Sequence, residues 1–430
     1  MMKKQFKFSI IMSVYNVEPY IDEAVESVLK QTIGFENNVQ IVFVNDGSKD
    51  NSGKICQKYQ TLYPDNIIYI EQENKGQSAA RNVGLEVVTG EYINFFDPDD
   101  VLSDNALEEV DRFFLSRKAE IDFVSIPLVY FEGQKGLHGK YKMMGKKNRL
   151  IDLLAEPDCF VLSSAGSFYK TDVFRGRRFD ESLSIGEDAE FNFRLYDENP
   201  RFGYVCEKGV VYHYRRRLAG GSNVDALRVS KNEKPFLDNV RIINGIINRN
   251  ACLREYEKEF VAYQLRSVLH DLQQESFGEN YPYAAFMGDC QNIVRRFDID
   301  FVLRRSTFID TDARKQLFLS LMGSSFNDAL KSGCFNASNF DIRLKDISFE
   351  GDQIVIDALF SNYDCPLDIV VVDSDGNVLK PINSIDLNAP FDVEYGEFIL
   401  DETHYRKFAL PYKIGDYRFC YLNSETGRLT

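Results

Sequence analysis

Three carboxylates crowd into Asn94-Phe95-Phe96-Asp97-Pro98-Asp99-Asp100, immediately after the largely apolar run from Tyr92 to Phe96. Asp97 and Asp99 lie two apart, so in an extended segment they point the same way, and Pro98 stiffens the link between them. Hard oxygen ligands on a rigid turn suit a divalent cation whose remaining ligands are phosphates. The same residues would also make an acidic turn capping a helix that starts near Ser103. The motif by itself leaves both readings open.

The elements around it narrow the choice. Phe8 to Val14 and Val39 to Val44 read as continuous apolar strands, the second ending at Asn45-Asp46-Gly47-Ser48. Helical spacing runs from Tyr20 to Lys30, from about Ser52 to Leu62 and from Ser78 to Val88, with a strand at Ile67 to Ile70 between the last two. A helix from Ala106 to Arg117, a strand from Ile121 to Ile126, a core segment from Val161 to Tyr169 and a short helix from Ala189 to Tyr196 continue the pattern. Gly133 to Asn148 has no period and reads as a loop. Repeated strand–helix units with nonalternating apolar strands predict an α/β fold, a parallel sheet covered on both faces. Ligands of such sheets sit beyond the carboxyl ends of the strands, where Tyr15, Asp46 and Asp97 all fall.

Composition sets the limits. At 430 residues, with 44% apolar and 27% charged side chains, the chain reads as a soluble protein of two or three domains. A net charge of −15 excludes the basic footprint of a nucleic-acid binder. Residues 341–430 hold 17 Asp and Glu against 8 Lys and Arg, so the acidity is concentrated at that end. Eight scattered cysteines without a C-x-x-C pair fit thiols in a reducing compartment. No apolar run reaches the roughly 18 residues a membrane helix needs, so a cytoplasmic protein is expected, at most peripheral to the inner membrane face.

The texture changes past residue 228. A single proline, Pro282, interrupts residues 236–340, and helical spacing recurs from Phe236 to Ile247, Tyr256 to Leu272, Ala284 to Val294 and Ala313 to Met322. From Phe340 the period falls to two: Ile354 to Ile356, Leu367 to Val372, Phe398 to Leu400 and Tyr417 to Tyr421 read as strands, with a hairpin turn at Asp373-Ser374-Asp375-Gly376-Asn377. This divides the chain into a first domain over 1–227, a helical module over 228–339 and a small antiparallel β-sandwich over 340–430.

Four segments, Phe8 to Asn16, Val44 to Asp50, Asn74 to Asn82 and Asp97-Pro98-Asp99, resemble family 2 glycosyltransferases with the GT-A fold. The late Glu187-Asp188 and His213-Tyr214-Arg215 match the same family, and the likeness covers about residues 7–220. The resemblance implies a nucleotide-diphospho-sugar transferase, most simply with a UDP-sugar donor. It implies that Asp46 accepts from the uracil N3–H, with Tyr15 flanking the base. Arg81 would meet nucleotide or phosphate oxygens, or else pair with Asp97 or Asp99 and hold their loop. Asp97 would contact the ribose or the water shell of Mn²⁺ or Mg²⁺, Asp99 would ligate that cation, and His213 would complete its shell. Arg215 would grip the diphosphate, while Asp100 steadies the loop or caps the next helix. Asp188 would be the general base of an inverting displacement, with Glu187 orienting it or the acceptor. An N-cap pair for the following helix is the plainer reading of Glu187-Asp188.

The acceptor implied is a hydroxyl of a bacterial cell-wall polysaccharide, capsule, teichoic-acid-like polymer or glycolipid. Two other functions compete. A nucleotidyltransferase would carry a lysine-containing Gly-rich signature where this chain has Ser13-Val14-Tyr15-Asn16, and a non-catalytic scaffold would have lost an Asp or the His. Arg215-Arg216-Arg217 suits anions, whether diphosphate, a polyphosphate acceptor or lipid headgroups. The acidic C-terminal region would bind polymer, form a homo-oligomer or tether a further enzyme. The last option fits a chain that stops at Gly427-Arg428-Leu429-Thr430 as a fragment of a larger polymerase.

Overall fold

The computed structural model describes residues 4–217, 234–249, 252–273, 291–297, 301–302, 306–309, 343–350, 353–361, 367–373, 377–387, 403–411 and 418–423. The chain divides into two compact units, one built mainly from residues up to Phe260 and the other mainly from residues after Pro282. Among the described residues no helix is long and apolar enough to cross a membrane.

The first unit is an α/β domain. β1 (Phe6–Val14), α1 (Ile21–Leu29), the single-turn α2 (Phe35–Asn38), β2 (Val39–Asp46), α3 (Ser52–Leu62), β3 (Ile67–Gln72), α4 (Gln77–Leu85) and β4 (Gly90–Phe95) follow in order. β3, β2, β1 and β4 lie side by side and parallel. Every residue of β2 is buried, which is why its apolar run shows no alternation. In α1 the core face is Ile21, Ala24, Val25 and Val28, at helical spacing.

Beyond β4 the sheet ceases to be purely parallel. β5 (Val101–Leu102), α5 (Ala106–Arg117), β6 (Phe123–Ser125), β7 (Leu128–Glu132), β8 (Gly136–Leu137), β9 (Arg149–Asp152) and β10 (Ser167–Lys170) come next, followed by α6 (Glu187–Glu198), β11 (Arg201–Tyr204) and β12 (Tyr212–Arg216). β10 enters antiparallel between β4 and β6, and β9 closes the eight-stranded sheet antiparallel to β11. The all-parallel expectation is therefore corrected: local apolar patterning gives no strand direction. Gly133 to Asn148, expected as a loop, holds β8 and a short 3-10 turn at Gly139–Lys142. A second sheet, β5-β12-β7-β8, carries β12 past the start of the Asp97 loop.

Two helices follow, α7 (Lys234–Arg249), which belongs to this unit, and α8 (Glu255–Gln273), whose first turns to Phe260 do. α7 buries Val240, Ile242, Ile243, Ile246 and Ile247, and Asp238 accepts from Ser184 N–H at 2.6 Å. The first turns of α8 pack on α6, with the Phe193 and Phe260 rings 4.0 Å apart and Tyr256 Oη donating to Tyr196 O. Among the described residues, the second unit includes two antiparallel sheets. β13 (Arg343–Glu350), β14 (Gln353–Ser361), β18 (Thr403–Pro411) and β17 (Asn383–Leu387) form one, and β16 (Val378–Leu379), β15 (Leu367–Val372) and β19 (Arg418–Asn423) the other. β15 and β16 make the expected hairpin, closed by Asn377 N–H donating to Asp373 Oδ1. The helix expected from Ala313 to Met322 and the strand at Phe398 to Leu400 lie outside the described residues.

Candidate functional site

Parallel pairing in register brings the carboxyl ends of β1, β2 and β4 to one edge, where a cleft of about 370 Å³ opens. Ser13, Tyr15, Asp46, Gly76, Asp97 and Asp99 line one part of it, and Tyr214 to Arg217 another. Tyr15 is 42% exposed, an uncovered ring at the rim. Asp46 is buried and already anchors the loop opposite: Oδ1 accepts from Gln72 Nε2 (2.7 Å) and Lys75 N–H (2.9 Å), and Oδ2 from Gly76 N–H (2.8 Å). A carboxylate offers about four lone-pair sites, so one acceptor position remains. Gly76 sits at φ +91° with open space where a Cβ would project, so the backbone at the start of α4 stays bare toward the cleft.

Asp97 holds the centre. Its N–H donates to Tyr212 Oη at 3.1 Å, and its Oδ1 accepts from Gln77 Nε2 at 3.0 Å. Burial pushes its carboxyl up to about 6; Arg81 opposes this, while Asp99 and Glu187 add to it. The Arg81 guanidinium is buried, with Nη1 on Glu187 Oε1 at 2.7 Å and Nη2 3.6 Å from Asp97 Oδ1. Through Arg81, 106 residues before Glu187, the Asp97 loop is thus joined to the first turn of α6. Of the alternatives open for Arg81, the structure realises the pairing with Asp97 and adds Glu187, which spacing had not linked to it.

Helix α6 begins after Gly186 at φ +76°, a conformation that favours glycine, and a Cβ there would come within 2.8 Å of Ile242 Cδ1 on α7. Three acids in its first turn, Glu187, Asp188 and Glu190, suit the positive end of the helix dipole. Asp188 accepts from Ala189 N–H at 2.8 Å and Ser164 N–H at 3.2 Å. It keeps some solvent contact, yet protein surrounds it closely enough that burial, then Glu187, push its carboxyl up to about 7. Asp188 is not part of the cleft's lining; it is tied to it through Glu187 and Arg81.

The end of β12 departs most from expectation. Arg215 carries a side chain only 3% exposed: Nε donates to Asp99 O at 2.6 Å, and the two terminal nitrogens pair with Glu132 and Glu23. Its N–H donates to Asp100 Oδ1 at 2.7 Å. Three of the five guanidinium N–H groups therefore hold protein atoms, and Arg215 bolts the Asp99-Asp100 turn in place. Asp100 serves that turn, as one of its two readings held. His213 alternates with Tyr212 and Tyr214 along β12; its ring lies 6.0 Å from Phe131, outside the cleft lining. Burial holds its pKa down, so it is a neutral imidazole, but the structure does not bring it to Asp97 or Asp99.

Arg217 went unremarked in the sequence except as part of an arginine run. It donates through Nε (2.9 Å) and Nη2 (2.6 Å) to a single oxygen, Asp99 Oδ2. Strand alternation could not have singled it out, because β12 ends at Arg216. Ser13 Oγ was also missed: it is buried in the cleft lining without a hydrogen-bond partner among the described residues.

Among the described residues, no three His, Cys, Asp or Glu side chains form a ready metal cage. Two adjacent hard carboxylates, one already drawing a cation in the form of Arg217, fit Mn²⁺ or Mg²⁺ completed by phosphate oxygens and water. Asp97 and Asp99 would hold such an ion.

Residues 9–177 match the model of glycosyl transferase family 2. The minor teichoic acid biosynthesis protein GgaA of Bacillus subtilis is 31% identical over 304 residues, which is 69% of this chain and 68% of GgaA. The related GgaB of the same organism is 36% identical over 306 residues, and the match spans 69% of this chain but only 33% of GgaB. The solved structure of Staphylococcus aureus TarS 1-349 in complex with UDP-GlcNAc superposes with a TM-score of 0.59 at 18% identity, over 88% of this chain and all of that one, a likeness of fold. This chain is a member of glycosyl transferase family 2, related to the bacterial transferases of teichoic-acid and cell-wall polysaccharide synthesis.

Proposed function

We propose that the chain transfers a sugar, with inversion, from a UDP-sugar to a hydroxyl of a teichoic-acid-like polymer or other cell-surface polysaccharide or glycolipid. The observation that carries this reading is the convergence of Tyr15, Asp46, Asp97 and Asp99 in one cleft, joined through Arg81 to the turn that bears Asp188. The names of GgaA and GgaB, proteins of minor teichoic acid biosynthesis, and the UDP-GlcNAc complex of TarS support the donor and acceptor classes.

In this mechanism the uracil rests on Tyr15, and its N3–H donates to the remaining acceptor position of Asp46. The bare Gly76 backbone admits the nucleotide closely. Asp97 and Asp99 would hold Mn²⁺ or Mg²⁺, which would supply positive charge to balance the departing diphosphate. Asp188 takes the proton from the acceptor hydroxyl as that oxygen attacks the anomeric carbon from the side opposite the leaving group. A carboxyl titrating near 7 suits this task, since a stronger base is available at operating pH than an ordinary aspartate. Arg81 and Glu187 position the base-bearing turn relative to the Asp97 loop.

Residues 1–227 are assigned the GT-A fold, residues 228–339 a helical module, and residues 340–430 a β-sandwich serving acceptor binding or self-association. We place the enzyme in the cytoplasm or at the inner membrane face, where nucleotide sugars are supplied. UDP release from a panel of UDP-sugars, with and without EDTA, tests the reading. Turnover of at least one donor that EDTA abolishes is expected. No turnover of any donor, or equal turnover in EDTA, would refute the donor class or the metal role.

A further inference from the structure

The two arginines that flank the Asp99 turn are held in different ways. Arg215 is sealed among Glu23, Glu132 and the Asp99 carbonyl, whereas the Arg217 and Asp99 side chains are 25% and 19% exposed and face the cleft. Both Arg217 donors converge on one carboxylate oxygen instead of spanning two, so the fork geometry of a full bidentate pair is not used. The Tyr20 ring lies 4.9 Å from the Arg217 guanidinium, a cation–π contact that leaves the arginine's phosphate-binding N–H groups uncommitted to the ring. Arg217 therefore occupies an oxygen of the same carboxylate that would ligate a cation.

We propose that Arg217 is an exchangeable counter-ion, holding Asp99 in the ligand-free protein and passing to the diphosphate when a divalent cation takes its place. This rests on the reading of the cleft as a diphosphate site. The exchange conserves pairing: one arginine–carboxylate contact is replaced by carboxylate–cation, cation–phosphate and phosphate–arginine contacts. Guanidinium suits phosphate at least as well as carboxylate, and a hard divalent ion prefers carboxylate and phosphate oxygens together. Cation and diphosphate then each strengthen the binding of the other, since either one alone must still contend with the Arg217–Asp99 pair.

The sign of the effect differs between the two ligands, and that makes the test sharp. Free Mn²⁺ is followed by electron paramagnetic resonance in titrations of the full chain, with and without UDP, for wild type, Arg217→Ala and Arg217→Lys. Circular dichroism checks that each variant is folded. For Mn²⁺ alone, Arg217→Ala is expected to bind at least about threefold tighter, because a part-exposed ion pair no longer competes. For UDP in the presence of Mn²⁺, the same variant is expected to bind roughly 10–100-fold more weakly, having lost a charged phosphate contact. Arg217→Lys keeps the charge and should fall between. Affinities that move in the same direction for both ligands, or that move for neither, overturn the exchange. A wild-type chain that binds neither Mn²⁺ nor UDP would overturn the diphosphate site itself, and the exchange with it.

Discussion

The strand ends at Tyr15, Asp46 and Asp97 and the end of β12 at Arg215 to Arg217 border one cleft, but different forces build them. The first set is placed by the sheet: three parallel apolar strands in register leave no freedom in where their carboxyl ends lie. The second is placed by its side-chain partners, so two arginines two residues apart acquire unlike tasks, one sealed and one exposed to the cleft. Backbone register is legible in a hydrophobic pattern, whereas the choice of an ion-pair partner is not.

The largest effect is expected at the base. Asp188→Asn should lower transfer by roughly 10²–10⁴ while UDP affinity stays within a few-fold of wild type, because the sheet-placed contacts are untouched. Steady-state transfer and calorimetric UDP binding measure the two. A variant keeping more than about a tenth of wild-type transfer would remove Asp188 from that role.

The arginines separate next. Arg81→Met breaks a buried bridge and leaves Glu187 and Asp97 unpaired, a loss of about 3–5 kcal/mol in urea unfolding. Arg215→Ala should cost about 2 kcal/mol, less because Glu23 and Glu132 are partly exposed. Arg217→Ala should cost under about 1 kcal/mol. Equal losses at Arg215 and Arg217 would erase the distinction between a structural and an exchangeable arginine.

The titration of Asp188 gives a smaller, graded effect. Because its carboxyl is raised to about 7, the ionised base is depleted below that pH, and the transfer rate should fall about tenfold per pH unit below it. Stability moves the other way: Asp97 and Asp188, raised to about 6 and 7, favour the folded state when protonated. Their contribution is complete below the unfolded carboxyl value of about 3.9 and is lost as pH rises through their folded values. A pH–rate profile and urea midpoints across pH 4–8 check both signs. The smallest effect is expected from shortening the chain to residues 1–338, which should spare metal-dependent UDP-sugar hydrolysis and reduce polymer binding or self-association. A folded short chain that cannot bind UDP would contradict the independence of the C-terminal region.

Much of the fold was legible because its elements are local. The helices Ser52–Leu62 and Ala106–Arg117 have the bounds that their spacing predicts, and β15 has those of its apolar run. Strand direction at β10 was hidden, since a short buried strand looks the same read either way. Of the helices that the change of texture after residue 228 marked, α7 and α8 are described where the spacing placed them, but their packing was hidden: nothing in the spacing of α7 shows that Ile242 lies against Gly186. Within the site, Asp46, Asp97 and Tyr15 were placed by strand ends. Arg81–Glu187 and Arg217–Asp99 join residues over 100 apart, and many acids would have satisfied either arginine equally well on paper.

A crystal of the chain grown with UDP and Mn²⁺, with data collected at the manganese absorption edge, bears most directly on the cleft. The uracil should lie against Tyr15 and Asp46, an anomalous peak should sit between Asp99 and the diphosphate, and the Arg217 guanidinium should have moved from Asp99 to a phosphate oxygen. UDP bound away from the ends of β1, β2 and β4, or a cation peak with no Asp97 or Asp99 oxygen in its shell, would contradict the assignment of this cleft as the donor site.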